Sequence, residues 1–126
     1  MPAIGLNHYN LRAPRGLLEE LRDFYCDVVG LQVGERPPFQ SFGYWLYTGQ
    51  EPVLHLVEVR PGEARATHTP TTFDHAAFTC TDFAAMRAVL LKANVEHTVQ
   101  EVPLTGQKQI FFSDPAGNGV ELNFAD

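Results

Sequence analysis

The chain has 126 residues, 44% of them hydrophobic and 19% charged, which suits one globular domain and is too short for two ordinary ones. Nine Lys and Arg against fifteen Asp and Glu leave a net charge of −6, which argues against nucleic acid as the main partner, and no apolar run approaches the ~20 residues of a membrane span. The opening MPAIGLNHYN lacks the charged start and apolar stretch of a signal peptide, and Cys26 and Cys80 are too few for a disulfide framework, so a reducing, cytoplasmic setting is expected, with both thiols as small buried apolar side chains.

Residues 4–12 alternate as a strand. Pro14 and Gly16 break it. Leu17, Leu21, Phe24, Tyr25 and Val28 then recur at helical spacing, with Glu19, Glu20, Arg22, Asp23 and Asp27 mostly on the other face. Gly30 ends that helix. Residues 31–36, 42–48 and 52–60 read as three strands, with turn signals at Pro37-Pro38 and Gly49. A polar linker with Pro and Thr, 61–71, follows. Residues 72–80 read as a strand. Asp82 is a plausible N-cap for a helix over 82–93, whose apolar stripe is Phe83, Met86, Val89 and Leu90. Strands near 95–102, 107–113 and 118–124 follow, the last two joined by a turn at Asp114-Pro115-Ala116-Gly117-Asn118. The order β-α-β-β-β therefore occurs twice. An α+β fold is expected, made of two tandem βαβββ modules (about 1–60 and 72–126) within a single domain of residues 1–126. Each module alone is too small to bury its sheet face.

The repeat extends to individual polar residues. Leu6-Asn7-His8-Tyr9-Asn10-Leu11 matches Phe73-Asp74-His75-Ala76-Ala77-Phe78, and the two histidines are 67 positions apart. Pro52-Val53-Leu54-His55-Leu56-Val57 matches Asn118-Gly119-Val120-Glu121-Leu122-Asn123, and His55 and Glu121 are 66 positions apart. Two spacings that agree within one residue are hard to obtain by coincidence.

His8, His55, His75 and Glu121 all sit in apolar strand sequence. A buried carboxylate is costly unless it is paired, protonated or bound to a metal. Imidazole and carboxylate together suit Zn, Fe, Ni, Co or Mn, and two histidines with one carboxylate is the pattern of non-haem Fe(II) oxygenases. His8, His75 and Glu121 are therefore the expected metal ligands. His55 is expected to face the same cleft, as a fourth ligand or as the acid/base beside it. His68, in the linker, and His97, near a strand start, are expected to face solvent. Strand parity puts Asn10 on the face of His8, and Val53 and Val57 on the face of His55. Tyr44, Trp45, Leu46 and Tyr47 put aromatics on both faces of their strand. Arg12, Arg15 and Arg36 are candidates for a positive rim.

Several of these segments carry a family likeness. Leu6-Asn7-His8, Phe24-Tyr25 with Gly30-Leu31, Phe73-Asp74-His75, and Asp114-Pro115-Ala116-Gly117-Asn118 with Glu121-Leu122 together resemble the vicinal oxygen chelate superfamily. That superfamily includes glyoxalase I, extradiol dioxygenases, fosfomycin resistance enzymes, methylmalonyl-CoA epimerase and the bleomycin resistance proteins. The resemblance covers nearly the whole chain. It implies βαβββ modules whose mixed sheets curve round a metal cleft, with His8, His75 and Glu121 holding one divalent ion. It implies a metal that binds adjacent substrate oxygens and stabilises the charge building on them. It also implies that Gln109 and Phe111 point into the cleft beside Asn10 and Val53 as substrate contacts. Glyoxalase I has a glutamate where this chain has His55, so the charge of the site differs. The basic phosphonate contacts of the fosfomycin enzymes have no counterpart in the second half, which discounts a phosphonate substrate.

The cleft is expected to be apolar with a few polar groups, suited to a small aromatic or carbonyl compound. The expected function is metal-dependent catalysis of a dioxygenase-like or glyoxalase-like kind. The alternative is a metal-free module of the bleomycin resistance type that sequesters a cationic drug. Exposed sheet edges, the aromatic strand 42–48 and the resemblance together point to a homodimer.

Overall fold

The computed structural model describes residues 2–125. The chain divides into two compact units between Arg65 and Ala66, inside the segment read as a linker.

In unit 1 the order is β1 (Tyr9–Ala13), α1 (Arg15–Phe24), a π-turn (Tyr25–Val29), β2 (Gln32–Gly34), β3 (Gly43–Thr48) and β4 (Glu51–Glu58). The sheet order is β1-β4-β3-β2. β1 runs parallel to β4, and the other pairs are antiparallel. In unit 2, β5 (His75–Cys80), α2 (Phe83–Lys92), β6 (Thr98–Glu101), β7 (Lys108–Ser113) and β8 (Gly119–Phe124) repeat the plan, with sheet order β5-β8-β7-β6. This is the expected α+β arrangement of two βαβββ modules with mixed sheets.

One face of each sheet is covered by its helix. In unit 1, Leu18, Leu21 and Tyr25 pack with Leu46, Leu54 and Leu56, all fully buried. In unit 2, Leu90, Ile110, Val120, Leu122 and Phe124 are buried, and Phe83 of α2 meets Phe124 edge-on at 5.5 Å. Because strand residues alternate, burying Leu54 and Leu56 on the helix side turns His55 to the opposite face. Burying Val120 and Leu122 does the same for Glu121.

Element ends differ from the sequence pattern in instructive ways. The first strand begins at Tyr9, not at residue 4, because its register with β4 starts at Tyr9–Leu54. Ile4 and Leu6 are 97% and 89% exposed. Likewise β5 begins at His75, where its pairing with Gly119 begins. In α1 the buried stripe starts at Leu18, with Leu17 only half-buried. The helix widens into a π-turn in which Tyr25 O accepts from the N–H groups of both Gly30 and Leu31, at 3.0 and 2.9 Å. Gly30 then adopts φ 97°, a left-handed conformation that costs glycine little. Asp82 does cap α2, accepting from Ala85 N–H at 3.1 Å. Cys26 and Cys80 are half-buried, not enclosed; burial pushes both thiols above their ordinary pKa, so neither is an activated nucleophile. No described helix is long and apolar enough to cross a membrane.

Candidate functional site

The sheet face turned away from each helix carries the polar residues. In unit 1, His55 lies in the centre of β4 with Asn10 of β1 on one side and Trp45 of β3 on the other. In unit 2, Glu121 lies in the centre of β8 with Ala77 of β5 and Phe111 of β7 beside it. The repeat read from the sequence is thus a repeat of strand register.

His55 is only 7% exposed. Its ring is the middle of a three-ring stack. His8 lies 3.7 Å away at 13° on one side, and Trp45 4.1 Å away at 11° on the other. His55 Nε2 lies 3.1 Å from the Pro52 carbonyl, which can only accept, so that nitrogen carries the proton and Nδ1 is bare. Burial, then the nearby His8 and Arg36, push the His55 pKa below the ordinary histidine value, although the bond to Pro52 opposes this. His55 is therefore a neutral imidazole. Stacked face to face, the rings of His8 and His55 do not aim their in-plane lone pairs at a common point.

His8 precedes β1. Its Nδ1 faces Asn7 Oδ1 at 2.7 Å, which leaves Nε2 bare. His75 has the same arrangement in unit 2, with Nδ1 on Asp74 Oδ2 at 2.8 Å. Its Nε2 faces Glu121 Oε1 at 3.1 Å. Glu121 is 6% exposed. Its second oxygen, Oε2, accepts from Gln109 Nε2 and Asn123 Nδ2, both at 3.1 Å. The hydrogen bond that His75 donates to Asp74, and next the charge of Glu121, raise the His75 pKa. Phe111 meets the His75 ring edge-on at 5.9 Å.

The His75–Glu121 pair has donor chemistry that suits a divalent cation. A metal-ligating histidine keeps its other nitrogen on a carboxylate or carbonyl oxygen, and a ligating carboxylate is held by further hydrogen bonds. His75 and Glu121 show both features, and His8 shows the first. Among the described residues, no three or more His, Cys, Asp or Glu side chains gather into a complete cage. The structure brings together His8 with His55, and His75 with Glu121.

The remaining residues divide as follows. Asn10 lines a cleft of about 420 Å³ in unit 1 with His8, Arg12, Arg36, Trp45 and His55. Val57, not Val53, lines that cleft; Val53 is half-buried on the same strand face. Two of the three arginines read as a positive rim line this cleft: Arg12 shares the strand face of Asn10, and Arg36 reaches in from the loop after β2. Arg15 is instead held by Glu58 at 2.9 and 3.1 Å. Gln109 and Phe111 both lie on the Glu121 face, and the Gln109 amide is engaged with Glu121. Lys108 points the other way, over the Phe83 ring of α2 at 4.7 Å. His68 is exposed, but its backbone N–H bonds the Ala116 carbonyl at 2.8 Å, and the residue lines a second cleft of about 540 Å³ with His75. His97 is half-buried, with Nδ1 2.8 Å from the Val95 carbonyl, and does not face solvent freely.

Sequence reasoning missed Asn7, Asp74 and Asn123 as positioning groups. The signal was present. Asn7-His8 and Asp74-His75 are matched dipeptides, and Asn123 shares the parity of Glu121.

Two βαβββ modules in tandem, each with a polar strand centre on the sheet face turned away from its helix, define the fold class. The profile of the Glyoxalase/Bleomycin resistance protein/Dioxygenase superfamily matches residues 5–122, so the chain belongs to that superfamily. Its fold is similar to a glyoxylase/bleomycin resistance protein/dioxygenase domain from Frankia sp. EAN1pec, with TM-score 0.75, 18% identity and 98% of each chain covered. It is similar to a lactoylglutathione lyase from Agrobacterium tumefaciens, with TM-score 0.65, 23% identity, and 98% of this chain and 96% of that one covered. It is also similar to an antibiotic-binding protein from Streptomyces sp. CB03234, with TM-score 0.67, 22% identity and 98% of each chain covered. No curated protein matches the chain.

Proposed function

We propose that the protein is a metal-dependent enzyme of this superfamily that acts on a small substrate through two adjacent oxygens, in a glyoxalase-like or dioxygenase-like reaction. His75 and Glu121 hold the divalent ion, with His8 as the third donor of the set; Fe, Zn, Ni, Mn and Co all suit these ligands. The observation that carries this reading is the His75 Nε2–Glu121 Oε1 approach at 3.1 Å, with the far atom of each side chain already held by its own partner. Such an ion acts as a Lewis acid on substrate oxygens.

The chain's own residues do the rest. Asp74 and Asn7 fix the imidazole tautomers that leave Nε2 free. Gln109 and Asn123 hold the Glu121 carboxylate in place through Oε2. His55, neutral and bare at Nδ1, is the acid/base. Its stacking on Trp45 and its bond to Pro52 hold the ring still for proton transfer. Asn10 and Phe111 are substrate contacts, with Val57 in the place expected for Val53 and Gln109 contributing its carbonyl. The active protein is a homodimer.

The test is metal content and affinity in untagged protein. About one divalent ion per chain is expected, and Glu121→Ala should lose it. Unchanged binding in Glu121→Ala would remove the assignment. A second reading, metal-free binding of a small molecule, is favoured by the aromatic cleft of unit 1. In its cationic-drug form it conflicts with Arg12 and Arg36 in that cleft. Saturable ligand binding by protein that takes up no metal would establish it.

A further inference from the structure

The unit 1 cleft contains charge that the metal reading does not use. Arg12 and Arg36 both line it, in a chain whose net charge is −6. Among the described residues, neither guanidinium has a carboxylate partner. Arg12 donates to the backbone carbonyl of Glu58 at 3.0 Å, while the Glu58 carboxylate is occupied by Arg15. Arg36 donates only to the carbonyl and hydroxyl of Ser41, at 2.9 and 3.1 Å. Its Nε is buried and without a partner. Leaving a buried donor of a charged group unsatisfied is costly, so the cation is kept at the cleft against that cost.

The surroundings restrict what that ligand is. The Arg36 guanidinium lies 5.0 Å from the Phe39 ring centre, and Phe39 leans on Trp45 at 6.2 Å. Trp45 in turn begins the stack through His55 to His8. The glycine at 43 makes room for the arginine, because a Cβ there would come within 3.1 Å of Arg36 Nη2 and would collide with the Leu56 carbonyl. Two guanidiniums at the edge of a ladder of flat rings present forked donors beside a planar apolar wall. That combination recognises a carboxylate attached to a conjugated ring or chain.

We propose that the unit 1 cleft selects a planar carboxylate, with Arg36 as the specificity-determining residue and Arg12 as the second cation. The proposal rests on the reading of the protein as one that acts on a small substrate, and it names the class of that substrate. A planar carboxylate pairs with the cleft guanidiniums, neutralises their charge and lies along the ring ladder. A neutral carbonyl compound does only the last.

Trp45 is the only tryptophan in the chain, so its fluorescence reports on this cleft directly. The experiment titrates metal-free wild-type protein with benzoate, benzamide and inorganic phosphate. Benzoate should perturb the emission saturably. Benzamide, of the same shape but neutral, should bind at least about tenfold more weakly, the cost of losing one charge-assisted pair. Phosphate should also bind more weakly, since it gains nothing from the rings. Arg36→Gln should reduce benzoate affinity by about tenfold or more, and Arg12→Gln should reduce it less. If Arg36→Gln fails to fold, Arg12→Gln and the benzamide comparison still decide. Equal binding of benzoate and benzamide, or full affinity in the Arg36→Gln protein, would overturn the proposal. Phosphate binding as tight as benzoate would overturn the planar part of it. Metal affinity of Arg36→Gln, measured separately, should equal wild type, so failure of the carboxylate site and failure of the metal centre are distinguishable.

Discussion

The two modules place different chemistry on the same backbone positions. Where unit 2 has Glu121, unit 1 has His55; where unit 2 has Phe111, unit 1 has Trp45. The Gln109 and Asn123 positions, which hold the carboxylate in unit 2, are Gly43 and Val57 in unit 1, matched by identical pairing across the sheets. Thr79 of unit 2 corresponds to Arg12 of unit 1. One inner face is therefore acidic and amide-rich, and the other is basic and aromatic. The scaffold needs only the leucine side of each strand, so the opposite side is free to differ. A repeated fold with unlike strand faces can support different chemistry in each module.

The shared half of this comparison should give the largest effects. Leu54→Ala and Leu122→Ala remove fully buried side chains from equivalent strand positions, and each should cost about 2–5 kcal/mol by denaturant unfolding. A large loss in one module only would break the equivalence of the two cores. The unshared half comes next. Asn123→Ala should weaken metal binding by about 10–100-fold through Glu121, as removal of an outer partner does. Val57→Ala, at the matching position, should leave metal affinity unchanged in the same calorimetric titration.

The two histidines should also titrate in opposite directions. His55 has a depressed pKa because it is buried. Its contribution to stability is complete above the ordinary value of ~6.5 and is lost as pH falls through its folded value. His75 has a raised pKa because of Asp74 and Glu121. Its contribution is complete below ~6.5 and is lost as pH rises through its folded value. NMR titration of the metal-free protein should show His55 below and His75 above that reference; the reverse order would contradict both environments.

The smallest effect separates the helices. Asp82 caps α2 with its side chain, while α1 starts after Pro14 with no side-chain cap. Asp82→Ala should cost about 1 kcal/mol, and Pro14→Ala much less, by thermal unfolding.

Most of the fold was legible in the sequence because two signals agreed. Apolar alternation marked the strands, and the spacing between His8 and His75 repeated that between His55 and Glu121. Boundaries were less legible. Residues 4–8 alternate like a strand, yet strand ends are set by the partner's register, which the local pattern does not contain. The polar centre was visible through the repeat, but its supports were not. Asn7 and Asp74 read as part of the matching motif, and Trp45 as one of several aromatics, until sheet pairing set it against His55. Arg36 was legible as a cation for the rim, but its place against Phe39 was not, because that depends on the loop between β2 and β3.

We propose above that His75 and Glu121, with His8, ligate one divalent ion. X-ray absorption spectroscopy of the untagged, zinc-loaded protein tests this directly. The account predicts a nitrogen and oxygen shell that contains two imidazoles and a carboxylate. A sulfur-containing shell, or one with no imidazole scattering, would contradict it.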